Sequence, residues 1–411
     1  MAANDEAAGW ARLAAAAADE VVVGVVQDLH RAVSDTTYRW LGPPARPIQR
    51  CTDAVSGMVF RTIRAGLRGA GEVGALVAGR RTAGAASTGA PAPGPPSRVA
   101  AKASAIAHGV LNDQLHAVAP QLDRGVTIRL AERRGPIEAA LLPALLPTVT
   151  SRPVVFVHGL VDTEQVWIPA GDRGVSLPAA VAAAGATPVL VRYGTGRTIE
   201  RNGRELDGVL DELLTSWPVP VTSLTLVGHS MGGLVIRAAC AAAADRGQGW
   251  LSRLADVVYL GTPHLGSWLE KVANVGSWSM RHASPHSAAI GRFLDARSQG
   301  IKDLRFGTTD ETAWPVGRID GLLTGRPRDI PWLEGPRHHL VIGRLHAHPS
   351  HPVNGVFGDA LVRASSAAAT GRWRRIDGDG RPSTTPIDAS HTWLPRHPEV
   401  ARLLNRLLTV A

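Results

Sequence analysis

From residue 153 the chain alternates short, largely apolar runs with longer segments whose apolar positions recur three and four apart. Pro153-Val154-Val155-Phe156-Val157 is apolar throughout, the pattern of a strand buried on both faces of a parallel sheet. Shorter or interrupted apolar runs predict strands at 188–193, 221–227, 256–260 and 340–343. Between them, helices are expected over 176–184, 200–216 and 231–244. The second has Leu206, Val209, Leu210, Leu213 and Leu214 at helical spacing. Upstream, Val126 to Leu130 alternates like a strand, and Arg134-Gly135 marks a turn toward a second, weaker one. Gly371–Asp377 reads as the last strand, and Pro398–Val410 as a final amphipathic helix. Strands alternating with helices imply a doubly wound parallel sheet, which binds ligands outside the carboxyl ends of its strands.

The first 150 residues have a different texture. Residues 6–35 carry a partial apolar stripe (Leu13, Val21, Val25, Leu29), and residues 51–69 a second one (Val55, Met58, Val59, Ile63). They read as a helical extension over 1–82, either packed on the catalytic part or offering a membrane- or substrate-facing surface. Residues 83–98, rich in Ala, Gly and Pro, read as a linker, and 99–118 as a helix that opens the catalytic domain, 99–411. Within that domain about 70 residues separate the strand at 256–260 from the next. This insertion, roughly 267–338, holds Trp268, Trp278, Trp314 and Trp332 and reads as a cap over the active-site end of the sheet.

Composition narrows the function classes. The 411 residues are 45% hydrophobic, ample for a large core. The net charge of +9 comes almost wholly from dispersed Arg, since Lys occurs only at 102, 271 and 302. No dense basic run is interleaved with aromatics, so no nucleic-acid partner is expected, while weak attraction to an anionic membrane surface stays open. Two isolated cysteines, Cys51 and Cys240, suggest neither a disulfide framework nor a zinc site. His338, His339, His346, His348 and His351 cluster in sequence without accompanying Cys and read as a solvated loop, so no metal is expected. The chain opens on Asn4-Asp5-Glu6 rather than a basic stretch, and no uninterrupted apolar run reaches about 20 residues, so a cytoplasmic protein is the expectation, with peripheral membrane contact left open. Nothing in the pattern sets an oligomeric state.

The candidate chemistry centres on Leu224-Thr225-Leu226-Val227-Gly228-His229-Ser230-Met231-Gly232-Gly233. A strand runs into Gly-x-Ser-x-Gly and straight on into a helix, the context of a nucleophile elbow. A turn sharp enough to present the hydroxyl leaves no room for side chains two residues either side of Ser230, which suits Gly228 and Gly232. A serine needs a base, and the base an orienting carboxylate, in the chain order Ser, acid, His. Asp359 follows the strand after the cap, in a Gly-flanked loop, and is preferred to Asp303, Asp310 and Asp388. His391 lies between the last strand and the last helix and is preferred to His397. The oxyanion hole needs two backbone N–H donors, for which Met231 and Leu160 are best placed. His158 and His229 read as structural. No Gly-x-Gly-x-x-Gly follows a strand, so no dinucleotide cofactor for hydride transfer is expected.

The Gly-His-Ser-Met-Gly-Gly elbow, Val157-His158-Gly159-Leu160 and Gly261-Thr262-Pro263-His264-Leu265-Gly266-Ser267 together resemble the bacterial lipase/esterase branch of the α/β-hydrolase superfamily over roughly residues 150–411. The resemblance implies an α/β-hydrolase fold: a mostly parallel doubly wound sheet, here with a cap insertion and a helical N-terminal extension. It implies a cofactor-independent serine hydrolase acting on a small-molecule ester or lipid. Ser230 would be the nucleophile, Asp359 the acid, His391 the base, and Leu160 and Met231 the oxyanion donors. An acyltransferase or thioesterase using the same triad stays open, as does a non-catalytic binding protein on the same fold.

Overall fold

The computed structural model divides into two compact units, residues 1–107 and 108–411. It describes residues 125–131, 136–146, 149–169, 171, 174–266, 330–346, 348, 358–359, 361–370, 376 and 382–410, with single positions elsewhere. The expected N-terminal helices, the linker, the helix at 99–118 and most of the insertion lie outside these residues. The second unit carries the sheet and every candidate site residue.

Seven strands form one sheet among the described residues: β1 (Thr127–Arg129), β2 (Pro153–Val157), β3 (Thr187–Arg192), β4 (Leu224–His229), β5 (Leu254–Leu260), β6 (Arg337–Gly343) and β7 (Ser383–Ile387). Their spatial order is β1-β3-β2-β4-β5-β6-β7. Only β1 runs antiparallel to its neighbour, and the expected weak partner strand is reduced to an Ile128–Ile137 bridge. The order reverses at β2, with β3 on one side and β4 on the other, so the crevice beyond β2 and β4 is the natural ligand site.

Alternation within each run explains why both faces are buried. Val155 and Val157 of β2 join a core under helices α1 (Ile199–Thr215) and α2 (Met231–Arg246). Val154 and Phe156 point the other way, into a core that includes Leu177, Val181, Val400, Leu404 and Leu408. Each fully buried Val or Leu is worth about 1.5–3 kcal/mol over leaving it exposed. Helix α1 starts at Thr198, whose hydroxyl accepts from Arg201 N–H at 3.2 Å. It crosses α2 closely, because a Cβ added to Gly203 would stand 2.4 Å from Ala238 Cβ. Helix α2 stops at Gly247, which takes the left-handed conformation at φ 65°. Among the described residues no helix is long and apolar enough to cross a membrane.

Two expectations are corrected. The last strand among the described residues is Ser383-Thr384-Thr385-Pro386-Ile387, later in the chain than the expected Gly371–Asp377, which apart from Ile376 lies outside the described residues. It is an edge strand with mostly exposed side chains, so it carries no apolar run and tolerates a proline. His338 and His339 are buried in β6 rather than set in a solvated loop. His338 Nε2 donates to Leu333 O at 2.9 Å and its Nδ1 meets Tyr259 OH at 3.2 Å. Burial lowers the pKa of His338 and so favours the neutral ring that this pairing needs. His339 Nε2 lies 2.8 Å from Asp256 Oδ1, and Arg337 adds two bonds of 2.8 Å to the same carboxylate. His346 and His348 are exposed.

Asp256 carries a testable consequence. Burial raises its pKa, but the bonds from His339 and Arg337 outweigh this and leave it below the ordinary carboxylate range. Its contribution is therefore present above the unfolded carboxylate pKa of about 4 and lost as pH falls through the lower folded value. Asp256→Asn is expected to cost about 1–3 kcal/mol at pH 7, through loss of a charged acceptor. Urea unfolding at pH 7 and at pH 3 should show that gap closing at the lower pH; an equal gap at both would contradict this account.

Candidate functional site

Strand β4 ends at His229, and Ser230 turns the chain with φ 52° and ψ −122°, a backbone region an L-residue enters only when its surroundings impose it. The surroundings are specific. Ser230 N–H donates to Leu260 O of β5 at 2.9 Å. A Cβ on Gly228 would meet Gly233 Cα at 2.6 Å, and one on Gly232 would meet Val157 O at 2.3 Å. The sharp turn thus presses the start of α2 against the end of β2. Ser230 keeps part of its surface exposed while Met231 is fully buried.

After β2, the loop His158–Thr163 runs beside this turn. A Cβ on Gly159 would stand 3.2 Å from Ser230 Cβ, so the backbone passes the serine more closely than a side chain there would fit without its neighbours giving way. Leu160 follows, partly buried. Neither Leu160 N–H nor Met231 N–H has an acceptor among the described residues, whereas the next amide, Val161 N–H, donates to Thr195 Oγ1 at 3.2 Å. At the helix start, the dipole of α2 adds positive potential at Met231.

His158 anchors this loop. Its Nδ1 lies 2.9 Å from Gly159 O and so donates, while Nε2 accepts from Tyr193 N–H at 3.5 Å. Its carbonyl accepts from Tyr193 OH at 2.8 Å, and the two rings stack. Burial pushes the imidazole pKa down to about 4, so the neutral Nδ1–H form that both ring bonds require is the form present at neutral pH. Further along, Glu164 pairs twice with Arg192 at 2.5 Å, fastening the loop to β3.

Asp359 and His391 meet beyond the ends of β5 and β6. Asp359 Oδ2 lies 2.7 Å from His391 Nδ1, with both residues almost fully buried. Asp359 Oδ1 accepts from Leu361 N–H at 3.1 Å and Val362 N–H at 2.8 Å, which fixes the carboxylate plane. His391 N–H donates to Asp359 O at 2.9 Å, tying the two loops together a second time. His229, next to Ser230, donates from Nε2 to His391 O at 3.1 Å, and the two rings lie 4.8 Å apart. The structure thus brings Asp359 and His391 into direct contact and sets His391 against the residue preceding Ser230.

Two glycines outside the predicted set make room for that contact. A Cβ on Gly261 would stand 2.9 Å from Asp359 Oδ2 and 3.0 Å from His391 Nδ1. One on Gly343 would stand 2.7 Å from Asp359 Cβ. Their signal in the sequence is a glycine immediately after, or at the end of, an apolar strand. His397 starts the turn into the last helix, Pro398–Val410, and Asp388 pairs with Arg344 at 2.8 Å; among the described residues neither hydrogen-bonds to Asp359 or His391. Asp303 accepts from Ile199 N–H at 2.9 Å, capping α1.

Residues 195–296 match a family model described as "Putative serine esterase (DUF676)". No curated protein sequence matches the chain. Among solved structures, the mature lipase BlEst2 of Bacillus licheniformis is similar at 18% identity, covering 62% of this chain and 91% of that one, with a TM-score of 0.40. A thermophilic esterase of Thermogutta terrifontis is similar at 16%, covering 64% and 91%, with a TM-score of 0.36. Aspergillus fumigatus lipase B is similar at 12%, covering 69% and 56%, with a TM-score of 0.40. The chain thus has a central, mostly parallel sheet that reverses order at β2 and a Gly-x-Ser-x-Gly turn between β4 and α2, and its residues 195–296 carry the match to the putative serine esterase model.

Proposed function

We propose that the protein hydrolyses carboxylic esters through an acyl-enzyme formed on Ser230. The observation that carries this is the 2.7 Å bond between buried Asp359 and His391, on loops that pack beside the Ser230 turn. A carboxylate on Nδ1 leaves Nε2 as the basic nitrogen of a neutral imidazole. In this reading Nε2 of His391 takes the Ser230 proton as Oγ attacks the ester carbonyl. The carbonyl oxygen, now negative, is held by Leu160 and Met231 N–H, which need no reorganisation to receive it. The imidazolium returns the proton to the leaving alkoxide. Water then attacks the acyl-enzyme by the same route, with His391 again acting as base, and the acid product leaves.

The substrate in this reading is a small-molecule ester or lipid. The test pairs two measurements on the full chain. Incubation with a fluorophosphonate probe, followed by peptide mass spectrometry, is expected to place the adduct on Ser230. Hydrolysis of p-nitrophenyl butyrate and palmitate is expected to release nitrophenol at rates that the probe abolishes. A folded protein that takes no label and cleaves neither ester would overturn the proposal.

A further inference from the structure

The loop that passes Ser230 contains a second backbone outlier. Val161 has φ 51°, in the left-handed region where a β-branched side chain is rarely found. Such a conformation persists only when neighbouring groups over-determine it. Upstream, Asp162 N–H donates to Gly159 O at 3.3 Å, closing a tight turn over 159–162. Glu164 and Arg192 secure the far side of the loop. Between these, Val161 N–H is held by one group, the hydroxyl of Thr195, at 3.2 Å.

Thr195 is itself placed by the fold. It lies just past the end of β3, in the stretch Tyr193-Gly194-Thr195-Gly196-Arg197, and is 2% exposed. Tyr193, two residues earlier, holds the His158 carbonyl and stacks on its ring. Asn202 donates from its amide to Gly194 O at 3.0 Å, fastening the stretch to α1. The Thr195 hydroxyl is therefore a buried acceptor delivered from a firmly held neighbouring stretch.

From this geometry we infer that Thr195 is a positioning residue for the oxyanion hole: by accepting from Val161 N–H it holds the left-handed turn that aims Leu160 N–H toward Ser230. The inference rests on the proposed ester hydrolysis and deepens it. The peptide plane joining Leu160 to Val161 contains the N–H that Thr195 grips. Without that grip the plane can rotate and Val161 can relax toward ordinary backbone, which shifts the chain at Leu160 and with it the preceding 159–160 peptide, whose N–H is the proposed donor. A donor displaced by about 1 Å loses transition-state binding while ground-state contacts persist, so kcat falls and KM holds.

The experiment compares Thr195→Val, Thr195→Ala and Thr195→Ser with the parent on p-nitrophenyl butyrate. Thr195→Val keeps the shape and removes the acceptor; it is expected to lower kcat about 10–100-fold with KM within about threefold. Thr195→Ser keeps the acceptor and is expected to stay within about threefold of the parent kcat. If Thr195→Val does not fold, judged by circular dichroism, Thr195→Ala is read by the same criterion. A parental kcat in the valine or alanine variant, a loss confined to KM, or a serine variant as slow as the valine one overturns the inference while the proposed function stands. Failure of the parent itself to hydrolyse ester or take the probe overturns the proposed function instead.

Discussion

Ser230→Ala is expected to lower kcat/KM for p-nitrophenyl butyrate by about 10,000-fold to 1,000,000-fold and to abolish probe labelling, because removing the nucleophile of such a triad leaves only binding and oxyanion stabilisation. The size of the loss is the diagnostic, because it separates chemistry from folding. The Ser230 turn is held by groups that alanine retains: the bond from its N–H to Leu260 O, and the close approach of Gly228 and Gly232 to neighbouring backbone. Alanine also meets the same backbone demand at φ 52° as serine does. The unfolding midpoint in urea is therefore expected to match the parent within about 0.5 kcal/mol, the range of substitutions that touch no packing or buried polar network. Adding His391→Ala to Ser230→Ala is expected to cost little further activity, since residues acting as one unit do not lose rate additively. A Ser230→Ala protein that keeps a tenth or more of the parental rate would sink the assignment of Ser230.

How far the sequence announces this site depends on what each segment buries. Strands β2 and β4 are buried on both faces, so β2 is apolar throughout and β4 largely so, with Thr225 its one polar residue before Gly228-His229, and their ends are visible in the chain. That visibility places the two loops that follow them, and with them Leu160, Ser230 and Met231. Asp359 and His391 are legible through chain order and the glycine beside Asp359, and the structure sets them 2.7 Å apart. Strand β7 is hidden for the converse reason. It lies at the sheet edge with exposed Ser383 and Thr384, so its sequence has the polarity of a loop. The buried His338 and His339 mislead for a related reason. Their polarity suggests solvent, but each ring finds a partner in another element, Tyr259 of β5 for one and Asp256 of β5 for the other. Partners across strands have no local signature. Thr195 is the same case at the site itself: its value lies in an amide 34 positions upstream, which no window of sequence contains.

Asp359→Asn separates the two jobs a carboxylate can do beside a histidine. Asp359 Oδ1 accepts from Leu361 and Val362 N–H, while Oδ2 faces His391 Nδ1. In the asparagine variant the two backbone donors hold the amide oxygen at the Oδ1 position, because the amide NH2 cannot accept from them. That orientation points the NH2 at His391 Nδ1, which must then give up its proton to accept. The imidazole is left with hydrogen on Nε2, the nitrogen that is to take the proton from Ser230. The base is thus in the wrong tautomer with its position unchanged, and the expected loss in kcat is about 10,000-fold. Stability should change little by comparison, since the three partners of residue 359 remain paired. Asp359→Ala removes the pairing as well, taking from the buried Val362 N–H its carboxylate acceptor, and should cost about 1–3 kcal/mol in urea unfolding. Proton NMR of the imidazole N–H in the Asp359→Asn protein, with Nδ1 and Nε2 distinguished by nitrogen-15 shift, reads the tautomer directly. A hydrogen still on Nδ1 together with parental kcat would show that Asp359 does not orient His391 for catalysis.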